Sequence, residues 1–200
     1  LDTAALAAHV TGRARSMFAD DVAARDAELR ALVAGRRVLV VGGAGSIGGA
    51  TVRALLPYDA AALHVVDHNE NGLAELARDL RNRGVRTPAD FQLLPLDFGG
   101  PAARRLARRG GYDLVLNFAA LKHVRTEKDV LTVLALLETN VVKQARFLDW
   151  LAEGTPPTHY FAVSTDKAAN PVSFMGATKR AMEHALFASE AARAAGMRVT

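Results

Sequence analysis

A short apolar run that leads straight into a glycine-rich segment constrains this chain more than any other feature of its sequence. Residues 37–41 (Arg-Val-Leu-Val-Val) have the pattern of a buried strand, and Gly42, Gly43, Gly45 and Gly48 follow directly. Glycine lets the backbone turn tightly and approach a ligand, because it has no Cβ. When such a turn begins a helix, free N–H groups and the positive helix end attract a phosphate. The segment therefore predicts a dinucleotide-binding turn.

The glycines of this turn fit two spacings. Gly43, Gly45 and Gly48 satisfy G-x-G-x-x-G, while Gly42, Gly45 and Gly48 satisfy G-x-x-G-x-x-G. The sequence leaves both spacings open. We predict that the residues of this turn bind the cofactor: Gly42, Gly43, Gly45, Ser46, Ile47 and Gly48.

Apolar runs of strand length alternate with helical segments along most of the chain. We predict strands at 37–41, 63–67, 91–97, 113–118 and 159–164, with a further strand beginning at 197–200. After the turn, predicted helices run to residue 56 and over 71–83, 101–109, 129–152 and 174–195. This alternation indicates an α/β fold, a Rossmann-type doubly wound parallel sheet. We assign it to residues 35–200, incomplete at the C-terminal end, after a helical arm in one or two pieces over residues 1–34.

An acidic residue closes the second predicted strand. Asp67 lies 19 residues beyond Gly48, where a carboxylate can accept hydrogen bonds from the adenosine ribose hydroxyls. No arginine follows it immediately, so we expect Asp67 and Asn69 to favour NAD, with NADP as the alternative. Asp97 closes the third predicted strand beside Phe98. It either hydrogen-bonds the adenine ring or forms a plain turn.

Composition excludes several other classes of protein. The chain has no cysteine, which excludes disulfide scaffolds, cysteine zinc sites and thiol nucleophiles, and we predict no bound metal. Its net charge of +4 comes from basic residues scattered among acids, which argues against nucleic-acid binding. The sequence contains no apolar run long enough to span a bilayer and no secretory leader. These features predict a cytoplasmic protein without a membrane segment.

Three further motifs follow in the second half of the chain. They are Asn-Phe-Ala-Ala-Leu-Lys-His-Val at 117–124, Ser-Thr-Asp-Lys-Ala-Ala-Asn-Pro at 164–171 and Met-Gly-Ala-Thr-Lys-Arg at 175–180. With the glycine turn, and in this order, they resemble the extended short-chain dehydrogenase/reductase superfamily. The narrower resemblance is to its polysaccharide-biosynthesis branch of nucleotide-sugar 4,6-dehydratases, typified by UDP-N-acetylglucosamine 4,6-dehydratases. It covers about residues 12–200 and implies an NAD(P)-dependent enzyme that removes water from a UDP-linked amino sugar.

The resemblance also implies roles for individual residues. Asn117, Ala119 and Ala120 would line the ribose on the nicotinamide side, and Thr165 would hydrogen-bond the C4 hydroxyl of the sugar. Lys179 would bind the nicotinamide ribose and bring positive charge near the reacting oxygen. Three residues are expected to contact the substrate: Lys122, His123 and Asn170.

Asp166 and Lys167 are the pair that the resemblance assigns to dehydration. Oxidation at C4 acidifies the C5 proton, a base removes that proton, and an acid protonates the departing C6 hydroxyl. The hydride then returns to C6. This chemistry needs Asp166 protonated and Lys167 neutral, and the mutual attraction of the two charged groups opposes both states. The environment created by cofactor and substrate must therefore decide the outcome.

One position departs from the pattern of the superfamily. A tyrosine usually stands four residues before the lysine, but here Met175 precedes Lys179 at that distance. A thioether cannot transfer a proton. The sequence therefore leaves the C4 proton acceptor open between Lys179, Lys167 and a water held by Thr165.

Two other functions remain as alternatives at this stage. One is an epimerase or dehydrogenase of the same superfamily, although the pair at 166–167 favours dehydration. The other is a dinucleotide-binding protein without catalysis, for which Met175 is the best argument. The resemblance further implies a homodimer or higher homo-oligomer, paired through helices near 129–150 and 174–195.

Overall fold

The computed structural model describes residues 3–122 and 129–200, which form a parallel β-sheet with helices on both faces. Its strands are β1 (Arg37–Val41), β2 (Ala62–Asp67), β3 (Asp90–Pro95), β4 (Leu114–Asn117), β5 (His159–Ala162) and β6 (Arg198–Val199). Their order across the sheet is β3-β2-β1-β4-β5-β6, and all neighbours are parallel. The predicted doubly wound α/β fold is thereby confirmed.

The helices connect these strands in chain order. Those before β1 are α1 (Thr3–Thr11), α2 (Ala19–Ala24) and α3 (Asp26–Val33). Those after β1 are α4 (Ser46–Leu55), α5 (Glu70–Asn82), α6 (Pro101–Arg109), α7 (Val130–Leu137), α8 (Lys143–Glu153), α9 (Phe174–Phe187) and α10 (Glu190–Ala194). A π-helical turn over Glu138–Val142 joins α7 to α8, and short 3₁₀ turns cover Leu56–Tyr58 and Asp166–Ala168.

The central strands are buried because successive side chains enter two different apolar layers. In β1, Leu39 and Val41 pack into the layer that includes α6, α8 and α9, while Val38 and Val40 pack into the layer that includes α4 and α5. The chain therefore covers both faces of the sheet. The strand order reverses between β1 and β4, and this reversal leaves a crevice at the carboxyl ends of the two strands.

Two helices that the sequence predicts as continuous are interrupted. The helix predicted over 129–152 contains the π-helical turn at Glu138–Val142. The helix predicted over 174–195 ends at Phe187, and the hydroxyl of Ser189 caps the separate helix α10. Apolar periodicity misses both breaks, because apolar side chains continue on each side of them.

The first 34 residues were predicted as a helical arm in one or two pieces, and the described part contains three short helices. Leu6, Val10 and Phe18 are exposed, whereas Val33 at the end of α3 is buried in the layer with α4 and α5. None of the helices in residues 3–122 and 129–200 has both the length and the apolar character needed to cross a membrane.

Candidate active site

The glycine turn passes so close to neighbouring backbone that side chains are excluded at two of its positions. Gly42 has a φ of 79°, and a Cβ there would lie 2.6 Å from the backbone nitrogen of Ala119. A Cβ on Gly48 would lie 2.2 Å from the carbonyl oxygen of Gly42. Gly45 precedes α4 and lines the crevice with Gly42. Backbone contacts therefore require glycine at positions 42 and 48.

Gly43 plays a different part from the one predicted for it. A Cβ at this position would lie 2.1 Å from Cγ1 of Val65 on β2, so this glycine permits close packing of the turn on the sheet. Gly43 is absent from the lining of both cavities of the crevice. The structure gives Gly43 a packing role, and its contact with a cofactor stays a prediction.

A cavity of about 410 Å³ follows the carboxyl ends of β1–β4. Sequence-predicted cofactor residues make up much of its wall: Gly42, Gly45, Asp67, Asn69, Asp97, Phe98, Ala119 and Ala120. Lys122, predicted to contact substrate, and Lys143 also line it. The cavity lies across the strand ends and has mostly apolar walls, with charged groups at Asp67, Asp97, Lys122 and Lys143. Such a combination suits a nucleotide.

Asp67 ties the glycine turn to the end of β2. Its Oδ2 accepts a hydrogen bond from the Ala44 N–H at 2.9 Å, and its Oδ1 accepts one from the Asn69 N–H at 2.9 Å. Asn69 in turn caps α5 by accepting a hydrogen bond from the Gly72 N–H at 3.0 Å. A carboxylate has about four acceptor positions, so Asp67 keeps capacity for two ribose hydroxyls.

Asp97 forms an ion pair across the same cavity. Its Oδ2 accepts a hydrogen bond from Lys143 Nζ at 2.7 Å, and its Oδ1 accepts one from the Gly99 N–H at 2.9 Å. Partial burial raises the pKa of Asp97, but these two hydrogen bonds outweigh burial, so its pKa lies below the usual value. The carboxyl group is therefore ionised at neutral pH.

Asn117 does not line the crevice, contrary to the prediction from the resemblance. Its side chain is 1% exposed and donates to Gln144 Oε1 at 2.9 Å and to the Tyr160 hydroxyl at 3.0 Å. Its Oδ1 accepts a hydrogen bond from the Ala119 N–H at 3.0 Å. Asn117 therefore fixes the course of the chain after β4, and the backbone at Ala119 and Ala120 forms the wall itself.

A second cavity of about 280 Å³ adjoins the first at the end of β5. Five residues line both cavities: Gly42, Gly45, Phe118, Ala120 and Lys122. The second cavity also contains Ser46, Ile47 and Gly48 from the turn, together with the predicted catalytic residues Thr165, Lys167, Met175 and Lys179. The fold thus joins the phosphate-binding turn and the predicted reaction centre in one continuous groove.

Lys179 is buried at the wall of the second cavity. It is 4% exposed, and its Nζ donates a hydrogen bond to the carbonyl oxygen of Val163 at 2.6 Å and lies 3.2 Å from Sδ of Met182. Burial lowers the pKa of Lys179 to about 8, although nearby Glu183 opposes the shift. Lys179 thus changes charge close to neutral pH.

The loop after β5 brings Thr165 and Asp166 into direct contact. The Thr165 hydroxyl donates to Asp166 Oδ1 at 2.9 Å, and this hydrogen bond is the main reason why the pKa of Asp166 lies below its usual value. Asp166 is exposed and outside the lining of the cavity, while Lys167 lines it. Asp166 is thus ionised at neutral pH, the opposite of the protonated state that dehydration was predicted to require.

Three predicted site residues remain: Asn170, His123 and Met175. Asn170, predicted to contact substrate, is exposed and lines neither cavity of the groove. His123 lies outside the described residues. Met175 does line the second cavity and is 4% exposed, so it occupies the position of the usual tyrosine without its chemistry.

Sequence reasoning assigned no role in the site to Lys143 or Gln144. Gln144 donates to the carbonyl oxygen of Ala119 at 2.9 Å. The side-chain amide of Asn140 accepts a hydrogen bond from the Leu121 N–H and donates one to the Leu121 carbonyl oxygen. The available clue was three polar residues, at 140, 143 and 144, spaced along one face of a largely apolar helix.

Comparison with known proteins places the chain in a family. The family model for "polysaccharide biosynthesis protein" matches residues 38–199. A Methanocaldococcus jannaschii protein described as an uncharacterised membrane protein is 32% identical over 146 residues, which cover 72% of this chain and 40% of that protein. A probable polysaccharide biosynthesis protein of Bacillus subtilis, EpsC, is 25% identical over 91% of this chain and 31% of its own length. The chain therefore spans less than half the length of these relatives.

A solved structure shows a similar fold. The UDP-glucuronic acid 4-epimerase from Bacillus cereus, determined with UDP-glucuronic acid and NAD, superposes with a TM-score of 0.67 at 20% identity. The match covers 82% of this chain and 55% of the epimerase. Because the family model matches most of the sequence, the chain belongs to the family of polysaccharide biosynthesis proteins.

Proposed function

We propose that this chain forms the NAD-binding and catalytic core of a nucleotide-sugar 4,6-dehydratase that acts on a UDP-linked amino sugar. The observation that carries the proposal is the continuous groove, in which the glycine turn lies at one wall and Thr165, Lys167 and Lys179 lie at the far end. A cofactor bound with its diphosphate at the turn would reach the second cavity with its nicotinamide. The family match and the fold shared with an NAD-containing epimerase support this assignment.

The residues present fit a dinucleotide. The glycine turn is held by close backbone contacts at Gly42 and Gly48, and the absence of Cβ atoms lets a diphosphate approach its backbone. Asp67 offers acceptor positions to the adenosine ribose. Among the described residues that line the first cavity there is no arginine to pair with a 2′-phosphate, which favours NAD over NADP. The cofactor, when bound, supplies a hydride acceptor for the C4 position and returns the hydride to C6.

We assign the first proton transfer to Thr165 and Asp166. The Thr165 hydroxyl can receive the proton of the C4 hydroxyl while passing its own to Asp166, to which it is already hydrogen-bonded. Asp166 is ionised beforehand and becomes protonated by this step. This relay needs no tyrosine and therefore accounts for Met175. It also supplies Asp166 with the proton that its ionised carboxylate needs before it can act as an acid.

The same proton then serves the elimination. Protonated Asp166 can donate it to the departing C6 hydroxyl, which leaves as water. Lys167, which lines the cavity, is the base that takes the C5 proton and returns it to C5 once C6 has been reduced. Each group is then back in its starting state, and the net change is the loss of one water.

Product analysis with the full-length protein tests this function. We expect incubation with UDP-N-acetylglucosamine and NAD to give a product lighter by one water, with solvent deuterium incorporated at C5. Replacing Thr165 with valine, which is similar in shape but lacks the hydroxyl, should lower the rate by about 100-fold or more, as expected for loss of proton transfer. An isomeric product would instead support a 4-epimerase, and full activity of the valine variant would exclude the relay.

We further propose that two copies of the chain associate through α7 and α9. Val130, Leu131 and Leu134 on α7 and Phe174 at the start of α9 are large apolar side chains that remain exposed. The two helices contact one another, so these side chains lie on neighbouring elements. Apolar side chains concentrated in this way are typical of a protein interface.

A further inference from the structure

Three polar side chains in or next to the π-helical turn hold residues that line the first cavity. Asn140 holds the backbone of Leu121, Gln144 holds the carbonyl oxygen of Ala119, and Lys143 holds the carboxylate of Asp97. The first two contacts keep the segment after β4 in place. The third is different in kind, because it is an ion pair inside the wall of the first cavity, at the end near β3.

The Lys143 side chain passes close over Gly99 on its way to Asp97. The aliphatic part of Lys143 crosses Gly99 so closely that a Cβ on Gly99 would lie 2.4 Å from Cγ of Lys143. The lysine side chain is 17% exposed, while the aspartate side chain is 51% exposed. Packing on Gly99 therefore restricts the lysine side chain, whereas the aspartate remains half-exposed and lines the cavity.

The charges of the cavity explain why such a pair is useful. Asp67 and Asp97 both line it, and an anionic diphosphate would enter beside two carboxylates. Lys143 cancels the charge of Asp97 and, with the Gly99 N–H, occupies one acceptor position on each carboxylate oxygen. The other acceptor positions stay available for an exocyclic amine.

We propose that Lys143 is a positioning residue for the adenine half of the dinucleotide. It fixes the Asp97 carboxylate in the orientation that can accept a hydrogen bond from the adenine amine, and it removes the repulsion between that carboxylate and the diphosphate. The inference rests on the proposed function, since it takes the ligand of the groove to be NAD. A competing role is direct contact between Lys143 and a phosphate, without Asp97.

Titration calorimetry of NAD with the full-length protein can separate these roles. We expect Lys143→Met to weaken binding about tenfold, the size of effect expected for a partly exposed, charge-assisted hydrogen bond. Gly99→Ala should weaken binding to a similar degree, because its Cβ displaces Lys143 while both charges remain. In a Lys143→Ala background the Gly99 substitution should have no further effect. Arg146→Met removes an exposed charge from the same helix and should leave affinity unchanged.

Two additional measurements distinguish positioning from a general loosening of the fold. Ligand-observed NMR should show weaker binding of ADP and unchanged binding of nicotinamide mononucleotide in Lys143→Met. In a double-mutant cycle with Asp97→Asn, the two substitutions should be strongly non-additive. Additive effects, or equal loss of both half-ligands, would overturn the inference while leaving the proposed function intact. If the wild-type protein bound no NAD, the proposed function would be refuted, and this inference with it.

Discussion

The contact between Gly48 and the glycine turn gives the sharpest test of the groove. Replacing Gly48 with alanine places a Cβ 2.2 Å from the carbonyl oxygen of Gly42 and 2.9 Å from Cα of Gly43. Both partners are backbone atoms, so relief requires the turn to move. Overpacking of this kind destabilises a fold by about 1–3 kcal/mol.

Gly49→Ala is the matched control for this substitution. Gly49 is the next residue of α4, and a Cβ there would lie 3.3 Å from the carbonyl oxygen of Gly43, which needs only a small adjustment. Both substitutions gain about 1 kcal/mol of helix propensity, so their difference isolates the contact. We expect Gly48→Ala to be about 1–3 kcal/mol less stable than Gly49→Ala in urea unfolding.

The same comparison extends to ligand binding. A displaced Gly42 carbonyl and turn should weaken NAD binding by at least about tenfold in Gly48→Ala, because a loss of 1.4 kcal/mol corresponds to that factor. Gly49→Ala should bind NAD with nearly wild-type affinity. Equal stability and equal affinity of the two variants would refute the argument that the turn is fixed by close backbone contacts at Gly48.

Three further predictions concern other parts of the site. Asp67→Asn should weaken NAD binding about tenfold and reduce the preference for NAD over NADP, as measured by calorimetry with both cofactors. Because burial lowers the pKa of Lys179 from 10.5 to about 8, the folded state binds fewer protons than the unfolded state between these values, and stability should rise with pH across that interval. Lys179→Met should abolish this rise in urea-unfolding experiments and be more stable than wild type below pH 8; an unchanged pH dependence would contradict the assignment. Leu134→Glu should convert a dimer into a monomer in light scattering, whereas Glu138→Gln, a change at an exposed residue of the same region, should not.

The architecture could be predicted because its determinants are local. Each strand is a short apolar run, and the turn at 42–48 is marked by glycines that no ordinary helix start would contain. The need for glycine at position 42 arises from its approach to Ala119, a contact between two different strand ends. Such a contact leaves no trace in the local pattern.

Side-chain direction was the part that the sequence could not supply. Asn117 was expected in the crevice, but it turns into the core, because Gln144 and Tyr160 offer hydrogen-bond partners there. Lys143 and Asp97 are far apart in the chain, and their pairing depends on how the start of α8 lies against the segment after β3. The ionisation state of Asp166 could not be predicted for the same reason, since its low pKa depends on the orientation of the Thr165 hydroxyl.

A structure of the full-length protein with bound NAD tests the central claim most directly. We predict diphosphate oxygens within hydrogen-bond distance of the backbone N–H groups of Ser46 and Ile47, the adenosine ribose on Asp67, and the nicotinamide in the cavity with Thr165 and Lys179. Density that places the diphosphate away from the glycine turn, or a different ligand in that place, would contradict the account.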